Sequence, residues 1–162
     1  MNLTQSDSVR YEMRNEIELI IKEYGIDRST FYEAAKGEYE RIVKRLYYTF
    51  CDYKKYPAIH TSYMWTRFRE GLHYSIQIPT DWEHWDGYIC QMDELIPKKC
   101  RMRSYYLLVD GGWVYEGMIE PVKAVLSRYP NFMEDFYLFP RDYSWVIHHC
   151  DDGECMYRVW KE

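Results

Sequence analysis

An α+β fold is what this 162-residue sequence predicts, with helices in the N-terminal half packed on a C-terminal antiparallel sheet of about five strands. Three observations predict it. Apolar residues recur at helical spacing through the N-terminal segments, and beyond about residue 104 the period shortens to two. The strand-like runs are punctuated by Gly-Gly and Asp-Gly, dipeptides that suit tight hairpins. The length fits one domain over residues 1–162 and can bury a core without disulfides or metal.

Between Val9 and Tyr24, the residues Met13, Ile17, Ile20, Ile21 and Tyr24 form a helical stripe, and Gly25 supplies a C-terminal stop. Thr30 and Glu33 make a Thr-x-x-Glu capping box, which predicts a second helix from Thr30 to about Phe50. Its inner face is Phe31, Ala35, Ile42 and Leu46, with Gly37 tolerated inside it. Residues 51–79 carry a weaker pattern, in which Trp65 to Leu72 reads as a short helix and HYSIQIP as a short strand. Thr80 and Glu83 repeat the capping box ahead of a helix with the stripe Trp82, Trp85, Ile89, Met92 and Ile96, closed by Pro97. RSYYLLVDGGWVYEG reads as a hairpin turning at Gly111-Gly112. A helix from Met118 to Tyr129 follows, with Val122, Val125 and Leu126 inward and Pro121 harmless in its first turn. DFYLFP, YSWVIHHC and CMYRVWK are the remaining strands.

Aromatics reach 19%, with 18 Tyr and 6 Trp, more than a core of this size requires. Both side chains have a polar tip and are enriched at interfaces, so the surplus points to a binding face. A net charge of −5 argues against a nucleic-acid binder and suits a basic protein partner or none. The opening MNLTQSDSVRYEMRNE lacks the apolar segment of a signal peptide, and no run approaches the roughly 20 apolar residues of a membrane span. Five cysteines, an odd number without a tight framework, fit reduced thiols. A cytoplasmic protein without membrane contact is the expectation.

The stretch SWVIHHCDDGEC collects the soft ligands. With Asp152-Gly153 as the turn, Cys150 faces Cys155, His148 faces Tyr157 and Trp145 faces Trp160. Alternation then puts Val146, His148, Cys150, Cys155 and Tyr157 on one face, and Trp145, Ile147, His149 and Met156 on the other. His148, Cys150 and Cys155 are the candidate metal ligands. Structural zinc wants four ligands, commonly from Cys-x-x-Cys pairs, whereas these are three with Cys-x4-Cys spacing and no second pair. A plain hairpin without cofactor is the preferred reading, although directly opposed cysteines could close a disulfide under oxidation. A Cys/His nucleophile is disfavoured as well, because the acidic turn beside Cys150 would raise its thiol pKa.

Asp81, Glu83, Asp86, Asp93 and Glu94 lie in a segment with no Lys or Arg from Thr80 to Ile96. On a helical wheel Asp86 and Asp93 fall beside Trp82 and Trp85. This is either a solvated face over a Trp-rich core or a patch that binds a basic partner through carboxylate steering and aromatic anchors. KKCRMR follows directly and can cancel the field. Glu116, the most specific-looking acid, reads as a cap for the Met118 helix. The sequence has no phosphate loop, G-x-S-x-G or H-E-x-x-H.

The succession YYLLVDGGWVYEGMIEPVKAVLSRYP and DFYLFPRDYSWVIHHC resembles a family of small uncharacterised bacterial proteins. The matching positions are Tyr115, Glu116 and Gly117, then Asp135 to Leu138, then Trp145 to His149. The resemblance covers roughly Tyr105 to His149 and is structural in character. It implies an immunity protein that neutralises a toxin made by the same or a sibling cell, with no catalytic residues to carry over. The expectation is therefore a non-enzymatic binding protein that occludes a basic protein partner. The alternatives are a small enzyme or metal protein using His148, His149, Cys150 and Cys155, and a self-associating module joined through an edge strand.

Overall fold

The computed structural model describes residues 7–78, 96, 103–128, 135–150 and 153–158. Chain order runs α1 (Asp7–Glu23), β1 (Phe31–Glu33), α2 (Lys36–Phe50), a 3₁₀ turn (Met64–Arg67) and β2 (His73–Ile78). After it come β3 (Ser104–Val109), β4 (Trp113–Met118), α3 (Ile119–Ser127), β5 (Phe136–Pro140), β6 (Trp145–Cys150) and β7 (Gly153–Arg158). The strands form one sheet in the order β1-β4-β3-β5-β6-β7-β2, every pairing antiparallel. The fold is α+β, as the sequence predicts. The expected C-terminal strands are β3 to β7, and the N-terminal half adds β1 and β2 along the two sides of that set.

Helix α1 buries Met13, Ile17, Ile20 and Ile21, while Tyr24 at its end stays exposed. Gly25 stops it at φ 59°: its amide donates to Lys22 at 3.4 Å and that of Ile26 to Ile21 at 3.0 Å, the paired closure of a Schellman motif.

The capping box at Thr30 is not used. Thr30 Oγ1 donates to the Asp27 carbonyl, and the Thr30 carbonyl accepts from the Met118 amide at 2.9 Å. Phe31–Glu33 pairs instead with β4, Ala34 donates to the Val114 carbonyl, and α2 opens only at Lys36, with no side-chain cap. Local capping yields to tertiary burial here. Phe31 is fully covered and stacks on Tyr115, ring centroids 5.2 Å apart and 4° from parallel. Such a buried aromatic contact outweighs a cap of about 1 kcal/mol.

The sheet centre is apolar on both faces, and β4 and β5 are buried along nearly their whole length. One face carries Tyr106, Tyr137, Phe139 and His148. It meets α2 and the 51–68 segment through Tyr143, whose hydroxyl donates to the Ile42 carbonyl, and through Phe68 and Trp65. The other face carries Phe31, Glu33, Trp113 and Tyr115, over which α1 lies: Arg14 pairs with Glu33 at 2.8 Å and sits above the Trp113 ring. Helix α3 packs beside α1 against β3 and β4, burying Ile119, Val122, Val125 and Leu126.

The β3–β4 connection spans Asp110, Gly111 and Gly112, one residue longer than a Gly-Gly turn, because Val109 pairs with Trp113. Both glycines adopt the positive φ expected of them, 85° and 80°. A methyl group on Gly117 would meet the Phe31 ring at 2.6 Å and the Thr30 carbonyl at 2.7 Å, so β1 approaches β4 only because no side chain stands there. Gly117→Ala is expected to destabilise the protein by about 1–3 kcal/mol in urea unfolding through overpacking. Gly37→Ala has open space in the first turn of α2 and should be neutral to stabilising by up to about 1 kcal/mol.

Candidate functional site

The two histidines of SWVIHHC stand on opposite faces of β6, as strand alternation requires. His149 pairs with Phe136 and stacks on it at 4.9 Å; His148 pairs with Tyr137 and stacks on that ring at 5.0 Å. Trp65 also stacks on His148, at 5.3 Å. His148 is thus stacked by two aromatic rings and only 2% exposed. Its Nε2 lies 3.6 Å from Oδ1 of the buried Asp135, with no closer partner among the described residues. The Asp135 amide in turn donates to Asp110 Oδ2 at 3.3 Å. A cavity of about 10 Å³ between Thr61, Ser62, Asp110, Asp135 and Tyr137 is the size of one water.

The register of the β6–β7 hairpin differs from the one built on an Asp152-Gly153 turn. Cys150 pairs with Gly153, His148 with Cys155, Val146 with Tyr157 and Trp145 with Arg158. Cys150 and Cys155 are therefore not opposed, which removes the directly facing pair that a disulfide across the hairpin would use. The reason alternation misses this is geometric. A slip of two residues leaves every side chain on the same face, so only turn chemistry could have fixed the register, and it favoured the wrong pair. Of the three candidate ligands, His148 is described in full, and Cys150 and Cys155 as backbone positions only. Among the described residues no group of three His, Cys, Asp or Glu comes together in a metal-binding arrangement.

Burial also shapes the nearby titratable groups. Desolvation, with the neighbouring His148 adding to it, pushes His149 down to about 4. Cys51, buried against the Met64 carbonyl, is pushed up to about 12 by desolvation and holds its thiol proton at neutral pH. Glu116 does not cap α3. It stands within β4, 6% exposed, accepting from Ser104 Oγ at 3.0 Å and from the Arg141 guanidinium, so its charge is compensated inside the sheet. A cleft of about 800 Å³ runs along α1 between Arg14, Glu18, Leu19, Lys22 and Arg28. Two of its cations are already engaged, Arg14 with Glu33 and Arg28 with Glu18.

The described surface shows aromatics that the sequence reading did not single out. Tyr48 on α2 and Tyr53 in the following turn are 49% and 46% exposed and meet edge to face, centroids 5.4 Å apart. Residues 47–56, YYTFCDYKKY, hold four tyrosines and two lysines, and that cluster was the available signal. The proposed partner-binding residues Trp82, Trp85, Asp86 and Asp93 lie outside the described residues. No helix among the described residues is long and apolar enough to cross a membrane.

The His149 shift sets a pH dependence. Its folded pKa lies below the ordinary imidazole value near 6.5, so the unfolded chain binds the extra proton first on acidification. Stability from this group is complete above pH about 6.5 and declines as pH falls toward 4, by up to about 3 kcal/mol. Urea unfolding across that window should show the slope in wild type and lose it in His149→Gln.

The comparisons with known proteins return a family and no function. No curated protein and no solved structure matches the chain. One family model aligns with residues 9–160, far more of the chain than the stretch on which the bacterial resemblance rests. That family's description assigns no activity, and it does not extend to immunity or to a bacterial source. The chain belongs to the family of unknown function DUF6756.

Proposed function

We propose that this protein is a cytoplasmic, non-enzymatic binding protein that occludes a protein partner, in the manner of a toxin-immunity or antitoxin protein. The observation that carries the binding reading is the exposed Tyr48–Tyr53 pair. The core is filled by other aromatics, among them Tyr47, Tyr105, Tyr115, Phe136 and Phe139, and these two rings remain at the surface, packed on each other. Tyrosine supplies a large, stiff, amphipathic contact area at low entropic cost, the character of an interface anchor. For the immunity role the support is the resemblance, together with the acidic stretch whose Asp86 and Asp93 would steer a basic partner toward Trp82 and Trp85.

The alternative, chemistry or metal binding on His148, Cys150 and Cys155, is less favoured. An imidazole stacked by Trp65 and Tyr137 and 2% exposed offers no approach to a substrate. Protein purified without a histidine tag should keep its melting temperature in chelator; stoichiometric zinc with a chelator-dependent melt would restore the metal reading.

Co-expression with the product of the adjacent gene should yield a stable complex. Asp86→Lys with Asp93→Lys should weaken that complex, chiefly by slowing association and lowering its salt sensitivity. Tyr48→Ala with Tyr53→Ala should weaken it if the tyrosine pair faces the same partner. A genuine complex that tolerates both double variants would place the interface elsewhere.

A further inference from the structure

We infer that the surface formed by Tyr48, Tyr53, Lys44, Lys54 and Lys55 is a second docking site, one that takes an acidic protein segment. The inference rests on the reading of the chain as a binding protein and adds a partner chemistry opposite in sign to that of the acidic stretch. Charge is the first support. Around the two tyrosines Lys44, Lys54 and Lys55 outnumber Glu40 and Asp52, whereas Arg41 of the same run is already paired with Glu38 and Arg45 lies over the Tyr143 ring. Lys44, Lys54 and Lys55 are exposed, and Lys44 lies one helical turn before Tyr48. Lys44 also reaches Glu40 at 2.5 Å. That pair is exposed and therefore weak, so an incoming carboxylate can compete for the ammonium.

Rigidity is the second support. Exposed turns are ordinarily mobile, yet the turn carrying Tyr53, Lys54 and Lys55 is tied down from several sides. The Tyr47 hydroxyl lies 2.8 Å from the Tyr56 carbonyl and 3.1 Å from that of Ala58. The Asp52 amide donates to Arg67 and that of Arg69 to Phe50, each at 2.8 Å, flanking a bridge between Cys51 and Phe68. The Lys55 amide donates to Asp52 Oδ1, and the Lys55 ammonium sits 5.2 Å from the centroid of the Tyr56 ring. A preformed aromatic and cationic surface avoids the ordering cost of binding. Two phenol hydroxyls and three ammonium groups are donors that match carboxylates, and the Tyr48 and Tyr53 rings can cover an apolar side chain between them.

A polypeptide fits this surface better than a nucleic acid. The two rings meet edge to face, at 86°, which gives successive bases no parallel platform. Fluorescence anisotropy on the full chain distinguishes the cases with three labelled probes: a glutamate peptide with interspersed phenylalanines, its lysine counterpart, and single-stranded oligothymidylate. The expected result is binding of the glutamate peptide alone, weakening as salt rises. Lys54→Glu with Lys55→Glu, and separately Tyr48→Ala with Tyr53→Ala, should each weaken it about tenfold without moving the melting temperature. Failure of the glutamate peptide to bind, or binding indifferent to both double variants, overturns the proposal. Tighter binding of oligothymidylate overturns it in favour of a nucleic-acid surface. A complex with the adjacent gene product that forms while the peptide fails, and that weakens in Asp86→Lys with Asp93→Lys, would remove this site and leave the reading that rests on the acidic stretch.

Discussion

Burial of the central strands on both faces is the constraint on which the rest of this molecule depends. Antiparallel sheets often leave one face to water, and their strands then alternate. Here Leu107, Leu108, Val114, Tyr115, Phe136, Tyr137, Leu138 and Phe139 are all covered, so cover must come from two sides. Helices α1 and α3 supply one layer. Helix α2 and the irregular 51–68 segment supply the other. An irregular segment in that position must find partners for its polar groups. It does so partly through the Trp65 amide, which donates to the Tyr137 hydroxyl at 3.1 Å, and through the backbone exchanges between Phe50, Asp52, Arg67 and Arg69.

His148 belongs to this scheme. The stack of Trp65, His148 and Tyr137 fastens the 3₁₀ turn to the sheet, and the ladder from Phe50 to Arg69 fastens the tyrosine-bearing turn to that 3₁₀ turn. The histidine that looked from the sequence like a ligand thus supports the candidate surface as a wedge in the core. Asp135 at 3.6 Å gives the buried imidazole a carboxylate neighbour in a region where an isolated polar atom would be costly.

Fold class, the positions of β3 to β7 and the helical stripe of α1 were legible because each rests on a pattern repeated over many residues. Features decided by one pair of residues were not. Thr30 and Glu33 satisfy a capping pattern, yet a carbonyl bonded across to Met118 draws the segment into the sheet, and no local signal reports that partner. The β6–β7 register lies two residues from the one an Asp152-Gly153 turn gives, a slip that alternation cannot see. Of the candidate site residues, His148 was read as a candidate metal ligand, and its surroundings depend on Trp65 and Asp135, 83 and 13 residues away in sequence. Tyr48 and Tyr53 were legible as composition without being legible as surface, since tyrosine serves core and interface equally well.

A core built around the doubly covered sheet holds the turn that carries Tyr53, and with it the Tyr48–Tyr53 pair, in place in the free protein. Amide hydrogen exchange of the free protein tests it most directly at Asp52, Tyr53 and Tyr56, whose amides donate to Arg67, Cys51 and Asp52. Protection well above that of an unstructured chain, with Leu107 and Leu138 exchanging only through global unfolding, is the expected result. Exchange at Asp52, Tyr53 and Tyr56 as fast as in an unfolded peptide would show that the core does not hold this turn.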